Sequence, residues 1–321
     1  VKNQIDVHES FGGVVPELAA RAHSDVIDLL VEKALKKAKI KLKDITAVAA
    51  TTGPGLLGGL LVGVIAAKAL SSVLKIPFIS INHLEGHALS AQLEQNISFP
   101  YLLLLVSGGH TEFTIVKKFN KYQRIGTTVD DALGEAFDKT ARLLKLGYPG
   151  GPQIEKLAQS GDESTYDLPK PLIQEKNSYF SFSGLKTSVA QLVHKQKKLT
   201  PKIKKDIAAS FQKTIGDIIK IKTTNAINEF IKITKPKSIN VVVAGGVAAN
   251  QYLKKKLLEL ETNKTKVFFP SMQFCTDNGA MIAYAGLLRY EKKMYSKLSV
   301  KPRPRWPLDE KAIFVKGKGI R

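Results

Sequence analysis

Residues 239–269 read INVVVAGGVAANQYLKKKLLELETNKTKVFF, and this stretch decides the class of fold. The apolar run 239–243 predicts a buried strand, residues 248–261 a helix, and residues 266–269 a second strand. A Gly-Gly pair separates the first strand from the helix. Because strands that alternate with helices are typical of α/β proteins, we expect that class here.

The same alternation extends outward through the rest of the chain. Between residues 147 and 176 glycine, proline and polar residues predict loops around a short helix. The remaining predicted strands are 44–52, 77–82, 101–106, 111–118 and 124–128. The remaining predicted helices are 53–74 (entered through a glycine-rich turn), 83–93, 131–144, 184–234 with a break at Pro201, and 276–292.

Length and charge limit the classes of function. With 321 residues the chain is long enough for two domains. Its 49 basic and 28 acidic residues give a net charge of +21, which favours a polyanionic partner such as RNA. Only seven of the basic residues are arginine, and a chain rich in lysine and isoleucine can also reflect compositional bias. Both interpretations stay open at this point.

Membrane and redox signals are weak. The longest apolar stretch, 56–74, contains glycines, serines and Lys68, so we expect a buried helix and no membrane partner. Cys275 is the only cysteine, which fits a reducing compartment. We expect a cytoplasmic location, with the mitochondrion as the alternative. The sequence begins at Val1, so a cleaved signal is not excluded.

A His-Leu-Glu-Gly-His motif at residues 83–87 is the first candidate site. Histidines four residues apart share one face of a helix, so His83 and His87 can reach one metal ion or can both be surface residues. A zincin needs its glutamate next to the first histidine, in HExxH order. Glu85 lies two positions on and points to another face, so the usual protease base is misplaced.

Two glycine turns follow predicted strands. Ser107-Gly108-Gly109-His110 lies between the strands 101–106 and 111–118, either as an ordinary hairpin turn or as a cradle for an anion. The turn at 244–250, AGGVAAN, resembles the adenosine-binding turn of actin-like ATPases and sugar kinases. It lacks the GxGxxG and GKS/T patterns of other nucleotide folds.

Acidic residues supply the other candidates. Asp277 precedes the last predicted helix, where in isolation it is best explained as a helix cap, although it can also supply a carboxylate to a metal. Two histidines and one carboxylate with open positions suit Fe(II) or Zn(II). Asp138 and the turn 148–152, YPGGP, are ordinary surface features when each is taken alone.

Together these segments resemble the tRNA N6-adenosine threonylcarbamoyltransferase family (TsaD-type, formerly called O-sialoglycoprotein endopeptidases), and the bacterial and mitochondrial branch is most similar. They follow the order of the family and cover nearly the whole chain. The matching segments are FGGVVPELAARAH (11–23), GPGLLGGLLVG (53–63), NHLEGH (82–87), LVSGGHTEF (105–113), DDALGEAFDK (130–139), YPGGP (148–152), FSFSGLKT (180–187), DIAASFQ (206–212), AGGVAAN (244–250) and CTDNGAMIAYAG (275–286).

The resemblance implies a two-lobed actin-like ATPase fold (sugar kinase and Hsp70-like) with the site in the cleft between the lobes. The expected division is 1–100 for the first lobe, 101–275 for the second, and 276–321 for a C-terminal helix and tail that return to the first. The opening strand of the family, with its Glu-(Thr/Ser)-Ser-Cys-(Asp/Glu) stretch, is not in the sequence. We expect that an N-terminal stretch is omitted; a truncated, inactive copy is the alternative.

The resemblance also implies a reaction, in which a threonylcarbamoyl group moves from threonylcarbamoyl-AMP to N6 of adenosine 37 in tRNAs that read codons beginning with A. One divalent metal per subunit is expected, Fe(II) ahead of Zn(II), with His83, His87 and Asp277 as ligands. The expected catalytic residue is His110. The expected substrate-binding residues are Leu105, Val106, Ser107, Gly108, Gly109, Asp138, Gly151, Glu155 and Asn250.

The family implies partners, and other classes of function stay open. The expected partners are tRNA, threonylcarbamoyl-AMP, an inactive paralogue and a small ATPase of the same pathway. A metallo-endopeptidase acting on glycoproteins would fit the histidine pair but not the position of Glu85. An actin-like ATPase or sugar kinase would fit the fold, and a catalytically dead scaffold would fit a real truncation.

Overall fold

The computed structural model describes residues 15–313, which form two units. The described part of the first unit comprises residues 15–93 and 277–310, and that of the second comprises residues 94–276 and 311–313. The predicted lobe boundaries at 100 and 275 stay predictions. The first four residues of the FGGVVPELAARAH segment lie outside the described residues.

The first unit is built on a short parallel sheet. Strands β1 (Val48–Gly53) and β2 (Phe78–Asn82) pair in parallel, and the helix that connects them is α3 (Leu57–Leu74). Parallel strands need such a crossover. Helices α1 (Pro16–Ser24) and α2 (Ile27–Ala38) precede the sheet, a short helix α4 (His83–Leu89) follows it, and α11 (Gly279–Glu291) returns to it from the end of the chain.

Helix α3 differs from its prediction as a buried helix. Leu60, Val64, Ala67 and Ser71 are buried on one side, whereas apolar side chains such as that of Ile65 are exposed. By length and composition alone it is the one described helix that could cross a membrane, and 22% of that window is buried. The prediction was wrong because this helix is apolar on nearly all sides while the sheet covers only one of them.

The second unit contains a five-stranded mixed sheet in the order β5-β4-β3-β6-β7. Strands β3 (Tyr101–Val106), β4 (Thr111–Lys118) and β5 (Lys121–Thr127) form an antiparallel meander. Strands β6 (Ile239–Ala244) and β7 (Thr265–Phe268) extend the sheet in parallel from β3, with Leu105 opposite Ala244. The carboxyl ends of β3 and β6 therefore lie side by side, and both end in a glycine turn.

Helices cover this sheet and complete the apolar core of the second unit. They are α5 (Leu133–Leu143), α6 (Gly150–Ala158), α7 (Ser183–Lys195), α8 (Pro201–Thr234), α9 (Gln251–Leu258) and the single turn α10 (Met272–Cys275). Leu104, Phe113, Phe137, Phe211 and Val243 are buried in one continuous cluster. Pro201 begins α8, in agreement with the predicted break, because proline lacks only an N–H that the first turn does not use.

Candidate active site

Helix α4 carries the histidine pair directly after β2. Asn82 begins the helix, and its side-chain oxygen accepts a hydrogen bond from Leu84 N at 2.9 Å. This cap fixes the start of the helix, so His83 and His87 lie one turn apart on the same face. Their rings stack with centroids 4.9 Å apart.

Asp277 completes a triad with the two histidines, within the first unit. Its Oδ1 lies 3.0 Å from Nε2 of His83 and 3.0 Å from Nε2 of His87. The three ligand atoms all lie within 4.8 Å of one another. The His87 side chain is only 3% exposed and the Asp277 side chain is 75% exposed, so the triad opens to solvent on the side of Asp277.

The triad fits a divalent metal. Two ligands that are each about 2.1 Å from one ion lie roughly 3 Å apart when they are at right angles, close to the separations seen here. Nδ1 of His87 is buried and has no hydrogen-bond partner within residues 15–313. The set of two imidazoles and one carboxylate leaves open positions for a substrate, as in the sites of Fe(II) and Zn(II) enzymes.

Electrostatic interactions within the triad shift the pKa values of Asp277 and His83. Partial desolvation by the atoms around it raises the pKa of Asp277 although most of the side chain is exposed, but the hydrogen bonds and charges of both histidines outweigh this effect and hold that pKa well below its usual range. Burial lowers the pKa of His83, whereas Asp277 and the backbone carbonyl of Pro54 raise it, and the net direction is upward. The carboxylate thus stays ionised and ready to attract a cation.

Asp277 is not the helix cap, which corrects the prediction for this residue taken alone. Asn278 caps α11, because its Oδ1 accepts a hydrogen bond from Met281 N at 2.9 Å. The helix begins at Gly279 and not at residue 276, so Asp277 is free of any role inside it. Asp277 and Asn278 are adjacent and either residue type can cap a helix, so the sequence alone did not show which one does.

Glu85 lies on the opposite side of α4 and does not join the triad. Its side chain is fully buried, and its Oε2 accepts two hydrogen bonds from Arg289 of α11, at 2.9 Å from Nε and 2.7 Å from Nη2. A carboxylate held in this way cannot activate water for peptide hydrolysis. The Arg289 partner was missed in the sequence because 204 residues separate the two side chains.

The second unit brings the two glycine turns together. Ser107 N donates to His110 O at 2.8 Å, which closes the turn after β3. Gly245, with φ of 97°, lies against that strand so closely that a Cβ would be 2.4 Å from Val106 O. Gly108, Gly109 and Gly246 meet nothing within 4 Å of a built Cβ, so their backbones are open to a ligand. Leu105 and Val106 are buried and Ser107 and His110 are partly exposed.

The other predicted substrate-binding residues lie where α5, α6 and α9 contact one another. Asp138 of α5 accepts a hydrogen bond from Gly150 N at 2.8 Å, beside the open Gly151. Glu155 of α6 accepts one from Gln251 N at 2.6 Å, at the start of α9. Asn250 caps α9 through Leu253 N and donates to Gln212 Oε1 at 3.0 Å.

A network around Asp130 was missed although it lies in a quoted motif. Its carboxylate accepts hydrogen bonds from Ser181 Oγ, Phe182 N and both polar groups of Ser183, at the start of α7. Burial raises the pKa of Asp130, but these hydrogen bonds outweigh it and lower the pKa overall. Asp130 therefore joins the DDALGEAFDK and FSFSGLKT segments.

Comparison with known proteins connects this arrangement to a family. The family model described as tRNA N6-adenosine threonylcarbamoyltransferase (TsaD) matches residues 1–284. The chain belongs to this family. It is 51% identical to the enzyme of that name from Pelagibacter ubique (strain HTCC1062) and 53% identical to the one from Bartonella tribocorum (strain CIP 105476 / IBS 506). Each match covers 100% of this chain and 90% of the relative.

The activity and the fold predicted from the resemblance are thereby confirmed. The chain is a transferase that forms threonylcarbamoyl-adenosine in tRNA. It has an α/β actin-like ATPase fold. In structure it is similar to HypF from T. kodakarensis, with a TM-score of 0.63 and 15% identity. The match covers 83% of this chain but only 44% of HypF, so it supports the fold alone.

Proposed function

We propose that the donor is threonylcarbamoyl-AMP and that the acceptor is adenosine 37 of tRNAs that read codons beginning with A. The N6 amine attacks the carbamoyl carbon and a new C–N bond forms. The C–O bond to the phosphate breaks, AMP leaves with that electron pair, and N6 loses one proton. Because the donor is already activated, the protein mainly has to position it and to stabilise developing charge.

The metal site of this proposal is the triad of His83, His87 and Asp277. Within residues 15–313 it is the one cluster of three such side chains close enough to share an ion. One divalent metal per subunit, Fe(II) ahead of Zn(II), would act as a Lewis acid on a carbonyl of the threonylcarbamoyl group. The open side at Asp277 leaves room for that group.

The glycine turns and their neighbours take the donor in this proposal. The open backbones of Gly108 and Gly109, with Ser107 beside them and Leu105 and Val106 behind them, would hold the threonylcarbamoyl-phosphate part. His110 would be the catalytic side chain beside it. The adenylate part of the donor would bind to Asp138, Gly151, Glu155 and Asn250. Their side chains join α5, α6 and α9 by direct hydrogen bonds, so they can form one binding surface.

The test is the His83→Ala variant, with His194→Ala as the matched control, because His194 is an exposed histidine of α7 outside this site. Each protein is incubated with tRNA, threonine, bicarbonate, ATP, the adenylate-forming enzyme and candidate partner subunits. Nucleosides are then measured by mass spectrometry, and bound metal by elemental analysis. We expect His83→Ala to lose both the metal and threonylcarbamoyl-adenosine formation, and His194→Ala to keep both. Normal product formation by metal-free His83→Ala would refute the metal assignment.

The remaining parts of the proposal concern the macromolecular partners and the cellular location. tRNA is the substrate, as the family name states. We propose an inactive paralogue and a small ATPase as protein partners, and a cytoplasmic location with the mitochondrion as the alternative. Purification of the tagged chain from its own cells, followed by identification of the proteins that elute with it, tests the partners directly.

A further inference from the structure

The tail of the first unit, which includes the segment KPRPRWPL (301–308), has no role in the function proposed so far. It contains no regular helix or strand between residues 301 and 308. Yet it does not run loosely over the surface, because its backbone forms hydrogen bonds with two loops next to the metal triad. These contacts give the tail a role that its proline-rich composition does not suggest.

The first set of contacts is with the turn that follows β1. Arg303 N donates to Thr52 O at 2.7 Å, and Gly55 N donates to Pro304 O at 3.1 Å. The approach requires glycine at position 53, where a Cβ would be 1.9 Å from Arg303 O. Pro54 lies between these two contacts, so the tail fixes the turn on both sides of it.

The second contact is with the cap of α4. Trp306 O accepts a hydrogen bond from Asn82 Nδ2 at 3.1 Å, while Oδ1 of the same amide caps the helix at Leu84 N. Asn82 is only 3% exposed, so this carbonyl is its fixed neighbour in a buried place. The tail thus orients the amide that sets the start of the helix with both histidines.

Three side chains hold the tail in this conformation. Arg303 Nη1 and Trp306 Nε1 both donate to Glu310 Oε1, at 2.8 and 2.6 Å. The Arg303 guanidinium also lies over the Trp306 ring, 4.6 Å from its centroid. A charge-assisted pair and a cation–π contact on the same two residues restrict the backbone between them.

We propose that residues 303–306, which we call the tail segment, are a positioning element for the metal triad. They fix the turn after β1 and hold the Asn82 cap against α4, so the helix that carries both imidazoles is oriented before a metal binds. Groups that orient metal ligands from outside typically change metal affinity about 10–100-fold when they are lost. The inference rests on the proposed metal function.

The test disrupts the contacts among Arg303, Trp306 and Glu310 and leaves the metal triad unchanged. Glu310→Ala removes the shared acceptor, and Trp306→Ala removes the ring and its hydrogen bond. Glu310→Gln is the conservative variant, since its amide oxygen still accepts both hydrogen bonds. Glu32→Ala is the control, because it removes an exposed ion pair of the same unit, with Lys36, far along the chain from the tail.

Two measurements separate failure of this inference from failure of the metal assignment. The first is hydrogen exchange of peptides covering residues 82–89 in metal-free protein, which requires no metal. The second is the dissociation constant of Zn(II), from competition with a chelator. For Glu310→Ala and Trp306→Ala we expect faster exchange at 82–89 and about tenfold weaker Zn(II) binding. Glu310→Gln should lose less than Glu310→Ala, because its oxygen still accepts both hydrogen bonds, and Glu32→Ala should stay close to the wild type.

Unchanged exchange in both alanine variants would overturn the positioning role whatever the metal does. Faster exchange with unchanged Zn(II) affinity would overturn it as well, because the tail would then support the helix and not the triad. If the wild type itself binds no Zn(II) or Fe(II), the metal assignment fails. An equal loss in Glu310→Gln would show that the charge of the Arg303–Glu310 pair holds the tail segment in place, which supports the same positioning role.

Discussion

Glu85 shares a short helix with two metal-ligand candidates, but its role is to join that helix to α11. Its carboxylate is fully buried and receives two hydrogen bonds from Arg289. Removing one partner of a buried ion pair leaves the other charge poorly compensated in a medium of low dielectric constant. The cost is therefore far above that of a surface pair.

For Arg289→Met we expect the free energy of unfolding to fall by about 3–5 kcal/mol, measured by denaturant unfolding. Lys36→Met is the control, because Lys36 and Glu32 form an exposed pair on α2, which is worth roughly 0–1 kcal/mol. Similar losses for the two variants would show that the buried Glu85–Arg289 pair contributes no more to the free energy of unfolding than the exposed Glu32–Lys36 pair.

The Asp138 carboxyl group, which is proposed to bind substrate, lowers the stability of the folded chain when it is ionised. Burial raises the pKa of its carboxyl group and outweighs the hydrogen bond from Gly150 N and the attraction of Arg142. A carboxyl group with a higher pKa in the folded chain than in the unfolded chain reduces stability as the pH rises through this range, and the loss persists above it.

We therefore expect Asp138→Asn to melt at a higher temperature than the wild type near neutral pH, while its transfer activity falls. The asparagine oxygen can still accept the hydrogen bond from Gly150 N. The difference in melting temperature should shrink as the pH falls below about 3.9, where Asp138 becomes protonated in both states. Melting curves across this pH range test the prediction, and a variant less stable than the wild type at neutral pH would contradict it.

At the scale of elements, the structure depends on two parallel strands that end together. β3 and β6 pair in parallel, and the turn after β6 passes against the end of β3. Gly245 has φ of 97°, and a Cβ there would be 2.4 Å from Val106 O. Gly246, its neighbour, has open space around a built Cβ.

Gly245→Ala should lower the free energy of unfolding by ~1–3 kcal/mol, because an alanine would be strained at this φ and would also displace Val106. Gly246→Ala should change it by less than about 0.5 kcal/mol. Thermal or denaturant unfolding of the two variants gives the comparison. Equal stability of both variants would mean that the close approach of the turn to β3 is not required.

Elements with a simple pattern could be predicted from the sequence, and those decided by distant contacts could not. β3 and β4 were predicted with their observed bounds, 101–106 and 111–118, because the Ser-Gly-Gly-His turn separates the two strands clearly in the sequence. The histidine pair followed from helical spacing. The cap at Asn278, the short helix α10 and the exposed side of α3 depend on neighbours that local sequence does not reveal.

The whole molecule is strongly basic, with a net charge of +21, and sequence alone left two explanations for it. Membership in a family that modifies tRNA favours the functional one. A protein that neutralises phosphates releases condensed counterions from the nucleic acid, so its affinity falls steeply with salt. Compositional bias without a binding face would produce no such dependence beyond a weak general attraction.

We expect the affinity for tRNA to fall at least ~10-fold between 50 and 200 mM salt, measured by filter binding or fluorescence anisotropy. A tRNA without adenosine at position 37 serves as the control. Its affinity should fall with nearly the same slope, because phosphate contacts act on any sequence, while base contacts add a term that depends little on salt. A salt-independent affinity for both tRNAs would leave the positive charge without a role in substrate binding, and compositional bias would then be the better explanation.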